Sequence, residues 1–426
     1  MGLALAERLG NAGQAVTVYE RAEQLGGLAT WHDFGEFVWD RFYHVVLPSD
    51  AELIGFIRRI GLGDRLQWRA SRTGFYVDRK FHPMTSGLDF LRFPLLDPWS
   101  KARLAATILY CSRIRDWKPL ESMTVEEFLV RQSGRTTFER MWKPLLLAKL
   151  GEHYRRVSAV FIWTYIKRLF SAQDAAARKA HLGYVSGSYR AIFTCLLERI
   201  ARAGGVVHRG VEVESVRPRA GGGIEISAAG ATTSHDKVVF TGPVNVLRAV
   251  ADPQLVQVPP QGDIEYLGVV CPALVTRRGF SPYYILNIAD DRVPFTGVIG
   301  MSSLVDASET SGLHLTYLPK YVLSDDPVLR RPDEELKSEF MAGFRRMYPD
   351  FPESDIVAMH VNRAIKVQPL QVVGYSERVQ RPRTCHPDFF VVNSAQFASN
   401  TLNNNEVIRS VNAFLEQFEP EFRSPA

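Results

Sequence analysis

The chain has 426 residues, 46% hydrophobic and 23% charged, with a formal net charge of +5. At about 150 residues per domain this is two or three domains of ordinary globular composition, which excludes long disorder, collagen-like repeats and a bare coiled coil. The apolar run Tyr266 to Val275 is well short of the ~18 residues that read as a membrane-spanning helix. Glu7 and Arg8 interrupt what would be the apolar part of a signal peptide, and the four cysteines are too scattered for a disulfide framework or a metal-ligand pair. A reducing cytoplasm is the simplest expectation, and no nucleic-acid-binding motif is assigned.

In chain order, Gly2 to Leu9 reads as a helix closed by Gly10 to Gly13, and Ala15 to Tyr19 as a β-branched strand ending at Glu20. From about Gly87 to Phe170 the pattern turns helical. Thr124 and Glu127 form a capping-box sequence, and Trp142, Leu145, Leu146, Leu147 and Leu150 form an apolar stripe read as core. Gly187 to Arg190 is a loop leading into a helix that ends near Ala203. Strands are expected at Val206 to His208, Val211 to Val216, Ile224 to Ser227 and Asp236 to Thr241. Alternation from Ile264 to Leu304 predicts antiparallel strands with one wet face. Pro332 to Met347 reads as an amphipathic helix, Phe389 to Val392 as a buried strand, and about Asn405 to Phe418 as a final helix.

Charge is unevenly spread. Leu91 to Ala180 holds 17 Lys and Arg against 8 Asp and Glu, a balance of +9, so the remainder carries −4. Two readings stay open for this segment, which also contains Trp99, Trp117, Trp142, Phe161 and Trp163. It is either a set of solvated helical faces over an aromatic core, or a peripheral membrane contact through which an apolar substrate enters.

The N-terminus carries half of a dinucleotide-binding fingerprint. That fingerprint is a strand, a G-x-G-x-x-G turn opening a helix, and a second strand ending in an acid about 20 residues on. Gly2 opens the helix, and Glu20 ends the strand. The first strand and first two glycines are not in the sequence, so Met1 is expected to be an internal position of a longer chain or of a fragment. The pair Gly26-Gly27 follows the acid, where side chains would collide with a pyrophosphate.

These residues resemble the FAD-dependent amine oxidoreductase superfamily, which includes protoporphyrinogen oxidases, phytoene desaturases and monoamine oxidases. The stretches Trp39 to His44, Thr73 to Tyr76 and Tyr317 to Tyr321 are similar to its protoporphyrinogen oxidase-like branch. The resemblance implies an α/β fold: a discontinuous Rossmann-like FAD-binding domain (residues 1–75, 183–262 and 361–426), a helical substrate or cap region (76–182), and a substrate-domain sheet and helix (263–360). It implies FAD held by Gly2, Glu20, Arg21, Gly26 and Gly27, with Glu20 on the adenosine ribose and Val213 beside adenine. Asn393 and Ser394 are implied near the pyrophosphate and ribityl chain. Asn405, Glu406 and Val407 are implied to aim a helix N-terminus at the flavin ring, where the dipole favours negative charge.

Three departures stand out. Leu28 replaces an arginine common in relatives, Asn393-Ser394 replaces a Gly-Asp pair, and no cysteine matches a covalent flavin link, so non-covalent FAD is expected. The implied activity is hydride removal from a sizeable, partly apolar small molecule. A redox-neutral flavoenzyme resembling UDP-galactopyranose mutase and an inactive flavin-fold scaffold are the alternatives. Asp40, Arg41, Tyr43 and His44 are implied to lie near the flavin, either as reacting groups or as a network holding their loop.

Overall fold

The computed structural model describes residues 1–171, 181–256 and 263–422, with the side chains of 169–171 left aside. The end of the basic segment, 172–180, lies outside the described residues, as do 257–262 at the end of the expected second cofactor-domain piece.

The first helix, Gly2–Asn11, buries Leu3, Ala4, Leu5, Ala6, Leu9 and also Glu7. A helix apolar on almost every side has to be surrounded. Helices Ala51–Arg59, Arg190–Arg202 and Asn404–Phe422 enclose it in one core with Ile57, Leu196, Ile200, Phe390 and Phe414. Strand Thr17–Glu20 follows and pairs in parallel with Val206–Arg209. A second parallel pair joins Val238–Phe240 to Phe389–Val391. Parallel neighbours need a crossover, and here residues 21–205 and 241–388 are the crossovers. The α/β cofactor-type domain is therefore assembled from the start, middle and end of the chain. A three-stranded antiparallel meander of Val213–Pro218, Ile224–Ala228 and Ala231–His235 packs on it through Val216, Ile224 and Ile226.

The second unit is an eight-stranded mixed sheet centred on Tyr266–Thr276. The expected wet face is absent there: all eleven residues of this strand are buried. Val269, Cys271, Ala273 and Val275 enter a core with Trp39, Tyr184 and Tyr317, while Val270 enters another with Leu336 and Phe340 of helix Asp333–Met347. A strand covered on both faces has no solvent to impose alternation. The sheet is not purely antiparallel either, because Ile285–Ile288 runs parallel to Thr73–Val77. Boundaries drawn after residues 75, 182 and 360 fall inside Thr73–Val77, His181–Val185 and Ile356–Pro369.

The helical region has its own core. Thr124 and Glu127 close the expected capping box at the start of Val125–Ser133. Trp142, Leu146 and Leu150 are buried, as are Phe161 and Trp163, whose indole N–H donates to the Cys111 carbonyl at 2.9 Å. Trp99 is 72% exposed. Many cations of the basic segment are paired: Arg135 and Lys143 with Glu139, Arg155 with Glu152, and, through acids outside the segment, Arg156 with Glu265 and Arg168 with Asp50. Among the described residues no helix is long and apolar enough to cross a membrane.

Glu7, on the first helix, is a carboxylate with no exposure at all. It accepts from Arg59 Nη1 at 2.8 and 2.9 Å, Arg199 Nε at 2.8 Å and Asn11 Nδ2 at 2.9 Å. Glu7→Ala would strand two guanidinium groups. Both are about a third exposed and can turn to water, so the expected loss is about 3 kcal/mol, the low end for breaking a buried ion pair. Urea unfolding measures it, and a loss under about 1 kcal/mol, the scale of a surface pair, contradicts this assignment.

Candidate active site

The segments that follow the first parallel strand carry most of the site. Glu20 closes the strand opposite Arg209, and its carboxylate accepts the Ala22 N–H at 2.9 Å. Arg21 points outward, 3.5 Å from Glu212. The next turn needs glycine twice, for different reasons. Gly26 has φ 110°, and a Cβ there would lie 2.8 Å from the Phe193 ring. Gly27 has φ 58°, with nothing within 4 Å of where its Cβ would be. One glycine is filled by protein; the other faces open space. Gly2 begins the first helix against Thr241, whose Oγ1 would be 3.1 Å from an added Cβ.

Val213 opens its strand, half-buried beside Phe389 and Val391. Asn393 is buried and caps the turn Ser394–Gln396, while its Nδ2 donates to the Gly242 carbonyl at 3.1 Å. Asn405, Glu406 and Val407 form the first turn of Asn404–Phe422. The Asn405 Oδ1 accepts the Leu53 N–H at 3.1 Å, and its Nδ2 donates to Glu406 at 3.2 Å. Burial pushes the Glu406 carboxyl up, opposed by Arg409 at 3.4 Å.

The hairpin Trp31–Asp33 and Val38–Asp40 leads to the second group. The Arg41 N–H donates to the Thr30 carbonyl at 2.9 Å, drawing the glycine turn and this loop together. Asp40 is 3% exposed. Its carboxylate accepts the Tyr189 N–H at 2.9 Å, and its backbone carbonyl accepts the Tyr317 hydroxyl. One residue thus joins the loop to helix Arg190–Arg202 and to the large sheet. Desolvation pushes Asp40 up to about 8, against the Tyr189 bond, and pushes His44 down to about 4. His44 Nδ1 lies 3.8 Å from Asp40 Oδ2. At neutral pH both groups are predominantly uncharged, so the pair is a polar contact rather than a salt bridge.

Beyond this pair lies an aromatic group. The Tyr43 and Tyr321 hydroxyls are 2.5 Å apart. The Lys149 ammonium is 3.8 Å from the centroid of the Tyr321 ring, and the Tyr165 hydroxyl donates to Gln368 at 3.5 Å. Tyr43, Lys149, Tyr165 and Tyr321 are half-buried, and burial opposes ionisation of Tyr43, Lys149 and Tyr321, so they form a cluster below the outer surface.

Sequence reasoning placed Arg41, Tyr43 and His44 in this region but missed Lys149 and Tyr165. The signal was a second lysine, after Lys143, inside the apolar stripe that ends at Leu150.

Cofactor-type parallel strands, a glycine turn facing open space and a buried aromatic cleft beside a mixed sheet define a flavoenzyme-like architecture. The profile of the flavin-containing amine oxidoreductase family matches residues 2–366. The chain belongs to that family, and it is an oxidoreductase by that membership. In structure it is similar to a provisionally named protoporphyrinogen oxidase from Exiguobacterium sp. 255-15, with TM-score 0.76, 16% identity, and 98% and 96% of the two chains covered. An oxidoreductase from Methanosarcina mazei superposes with TM-score 0.74 at 18% identity over 98% of each chain. Reduced UDP-galactopyranose mutase does so with TM-score 0.71 at 15% identity over 98% of this chain and 94% of its own. At these identities the likeness speaks for the fold. No curated protein matches the sequence.

Asp40 yields a pH prediction. A carboxyl raised in the fold above its unfolded value stabilises at low pH, and that contribution is lost as pH rises from about 4 to about 8. His44 acts oppositely below about 6.5, but it is present in both proteins compared. Relative to Asp40→Asn, the wild type should lose up to about 1.4 kcal/mol per pH unit between pH 6 and 8. Urea unfolding of both at several pH values reads this, and parallel curves would mean that Asp40 is ionised in the fold.

Proposed function

We propose that the chain binds FAD without a covalent link and takes hydride from a sizeable, partly apolar substrate. The observation that supports the cofactor is a set of unmet hydrogen bonds. Thr30 Oγ1 and Arg41 Nε are buried and have no partner among the described residues. They lie on the glycine turn and the loop bonded to it, beside the open face of Gly27. Buried polar atoms normally find partners, and a polar cofactor along these segments meets that need. Glu20 suits the ribose hydroxyls as a charged acceptor at the strand end.

Bound FAD supplies a two-electron acceptor. The protein's share is positional. The Tyr43–Tyr321 pair presents a rigid phenolic wall, the sheet behind it excludes water through Val269 and Cys271, and uncharged Asp40 anchors the loop to Tyr189 and Tyr317 without bringing a charge into the cleft.

Reconstitution tests this reading. The wild type should retain FAD that acid precipitation releases, and Glu20→Ala should bind it roughly 1.5–3 kcal/mol more weakly, the worth of a charged hydrogen bond. Unchanged affinity removes Glu20 from the ribose, and no FAD retention refutes the reading. Bleaching of the flavin by substrate without air supports hydride removal. Turnover of a sugar nucleotide only after prior reduction points instead to mutase-type chemistry.

We also propose that the tip of the helical region rests on an anionic membrane surface. Leu88, Leu91 and Trp99 are 64%, 63% and 72% exposed. They are gathered on helices Gly87–Arg92 and Pro98–Arg113, held together by Lys101 Nζ donating to the Leu91 carbonyl at 2.6 Å. Arg92 and Lys101 flank the patch, and an exposed tryptophan with nearby cations suits a lipid interface. Vesicles rich in phosphatidylglycerol should sediment the protein at low salt, and Trp99→Ser should abolish most of that binding. No binding by the wild type ends the proposal.

A further inference from the structure

Lys149 is a charge in an unusual place. The helix Lys143–Leu150 carries it to strand Lys320–Leu323, deep between the helical region and the large sheet. Its ammonium lies over the Tyr321 ring at 3.8 Å and 5.5 Å from the Tyr165 ring centroid. Burial opposes its charge, the phenols of Tyr165 and Tyr321 favour it, and the balance keeps it above the ordinary lysine range. Its electrostatic partners among the described residues are phenols, not carboxylates. Other cations of this region, Arg135, Lys143, Arg155 and Arg156, each face an acid. A desolvated ammonium hydrogen-bonded to two phenols and lying over their rings has neutral partners but no formal counter-charge among them.

The neighbouring hydroxyls have one donor to spare, since Tyr165 gives its proton to Gln368. Two phenols share one hydrogen bond at 2.5 Å between Tyr43 and Tyr321, which uses one of their two protons. The ammonium and one hydroxyl donor therefore lie together here, with no acidic side chain among the residues named.

We propose that Lys149, Tyr43, Tyr165 and Tyr321 form a subsite for an anionic group of the substrate, a carboxylate or a phosphate. This rests on the functional reading above and deepens it. The substrate brings the counter-charge that the protein omits, and the phenol rings pack on the apolar part next to it. A cationic amine would meet Lys149 as a like charge, so this member of an amine oxidoreductase family acts on an anion.

Three probes with the same ring and different charges test it: benzoate, phenyl phosphate and benzylamine, titrated calorimetrically into the FAD-loaded full chain. One or both anions should bind, and benzylamine about tenfold more weakly or not at all. The preferred anion distinguishes a carboxylate from a phosphate substrate. Lys149→Met should weaken anion binding about tenfold, and Lys149→Arg should largely restore it. Equal or tighter binding of benzylamine, no anion binding by the wild type, or unchanged anion affinity in Lys149→Met overturns the proposal. Circular dichroism verifies the fold of each variant. If Lys149→Met does not fold, Lys149→Gln keeps a polar head without the charge, and unchanged anion affinity there is the overturning result. FAD retention is scored separately by absorbance. A chain that holds no FAD defeats the cofactor reading, while the same titration on the flavin-free chain still decides the subsite.

Discussion

A single buried carboxylate orders the cofactor-type domain. Glu7 reaches Arg59 on one helix and Arg199 on another, at 2.8 Å each, from a helix that is itself buried nearly all round. Apolar packing alone would let these helices slide, because dispersion contacts have little directional preference. A carboxylate that cannot reach water has to be met by its partners in one geometry. That geometry sets where the first helix ends, hence where Thr17–Glu20 pairs with Val206–Arg209, and hence where the Gly26-Gly27 turn emerges.

The cleft depends on the same alignment at one remove. The glycine turn is bonded to Arg41 through Thr30, and the adjacent Asp40 ties the loop to Tyr189 and Tyr317. Asp40 does this with its proton on. Had it been charged, burial without a cation would have been costly, and nearby His44 is itself pushed toward neutrality. At Asp40 the large sheet is thus joined through neutral hydrogen bonds, and Lys149 lies among phenols rather than acids beside the Tyr43–Tyr321 wall.

Composition alone misleads about electrostatics here. The +9 balance of residues 91–180 suggests a broad positive field, yet many of its arginines and lysines are held by glutamates or donate to backbone carbonyls, as Arg103 does to Arg131 and Gln132. Counting charges cannot distinguish a paired guanidinium from a free one. The aromatic residues divide similarly: Trp142, Phe161 and Trp163 build the helical core, while Trp99 remains outside.

Local chemistry was legible in the chain itself. Helix Gly2–Asn11, the capping box at Thr124, helix Asp333–Met347 and the buried strand Phe389–Val391 follow from period, caps and short apolar runs, all set by neighbours within a few residues. The turn at Gly26-Gly27 and the strand end at Glu20 were legible for the same reason. Tertiary structure alone decided that Tyr266–Thr276 is covered on both faces, that Ile285–Ile288 runs parallel to Thr73–Val77, and that Glu7 meets Arg199. It also decided that Asp40 holds its proton and that Lys149 faces phenols. Each of these depends on partners far along the chain, and burial, strand partner and proton affinity are properties of the surroundings that folding assembles, not of the residue or its neighbours in sequence.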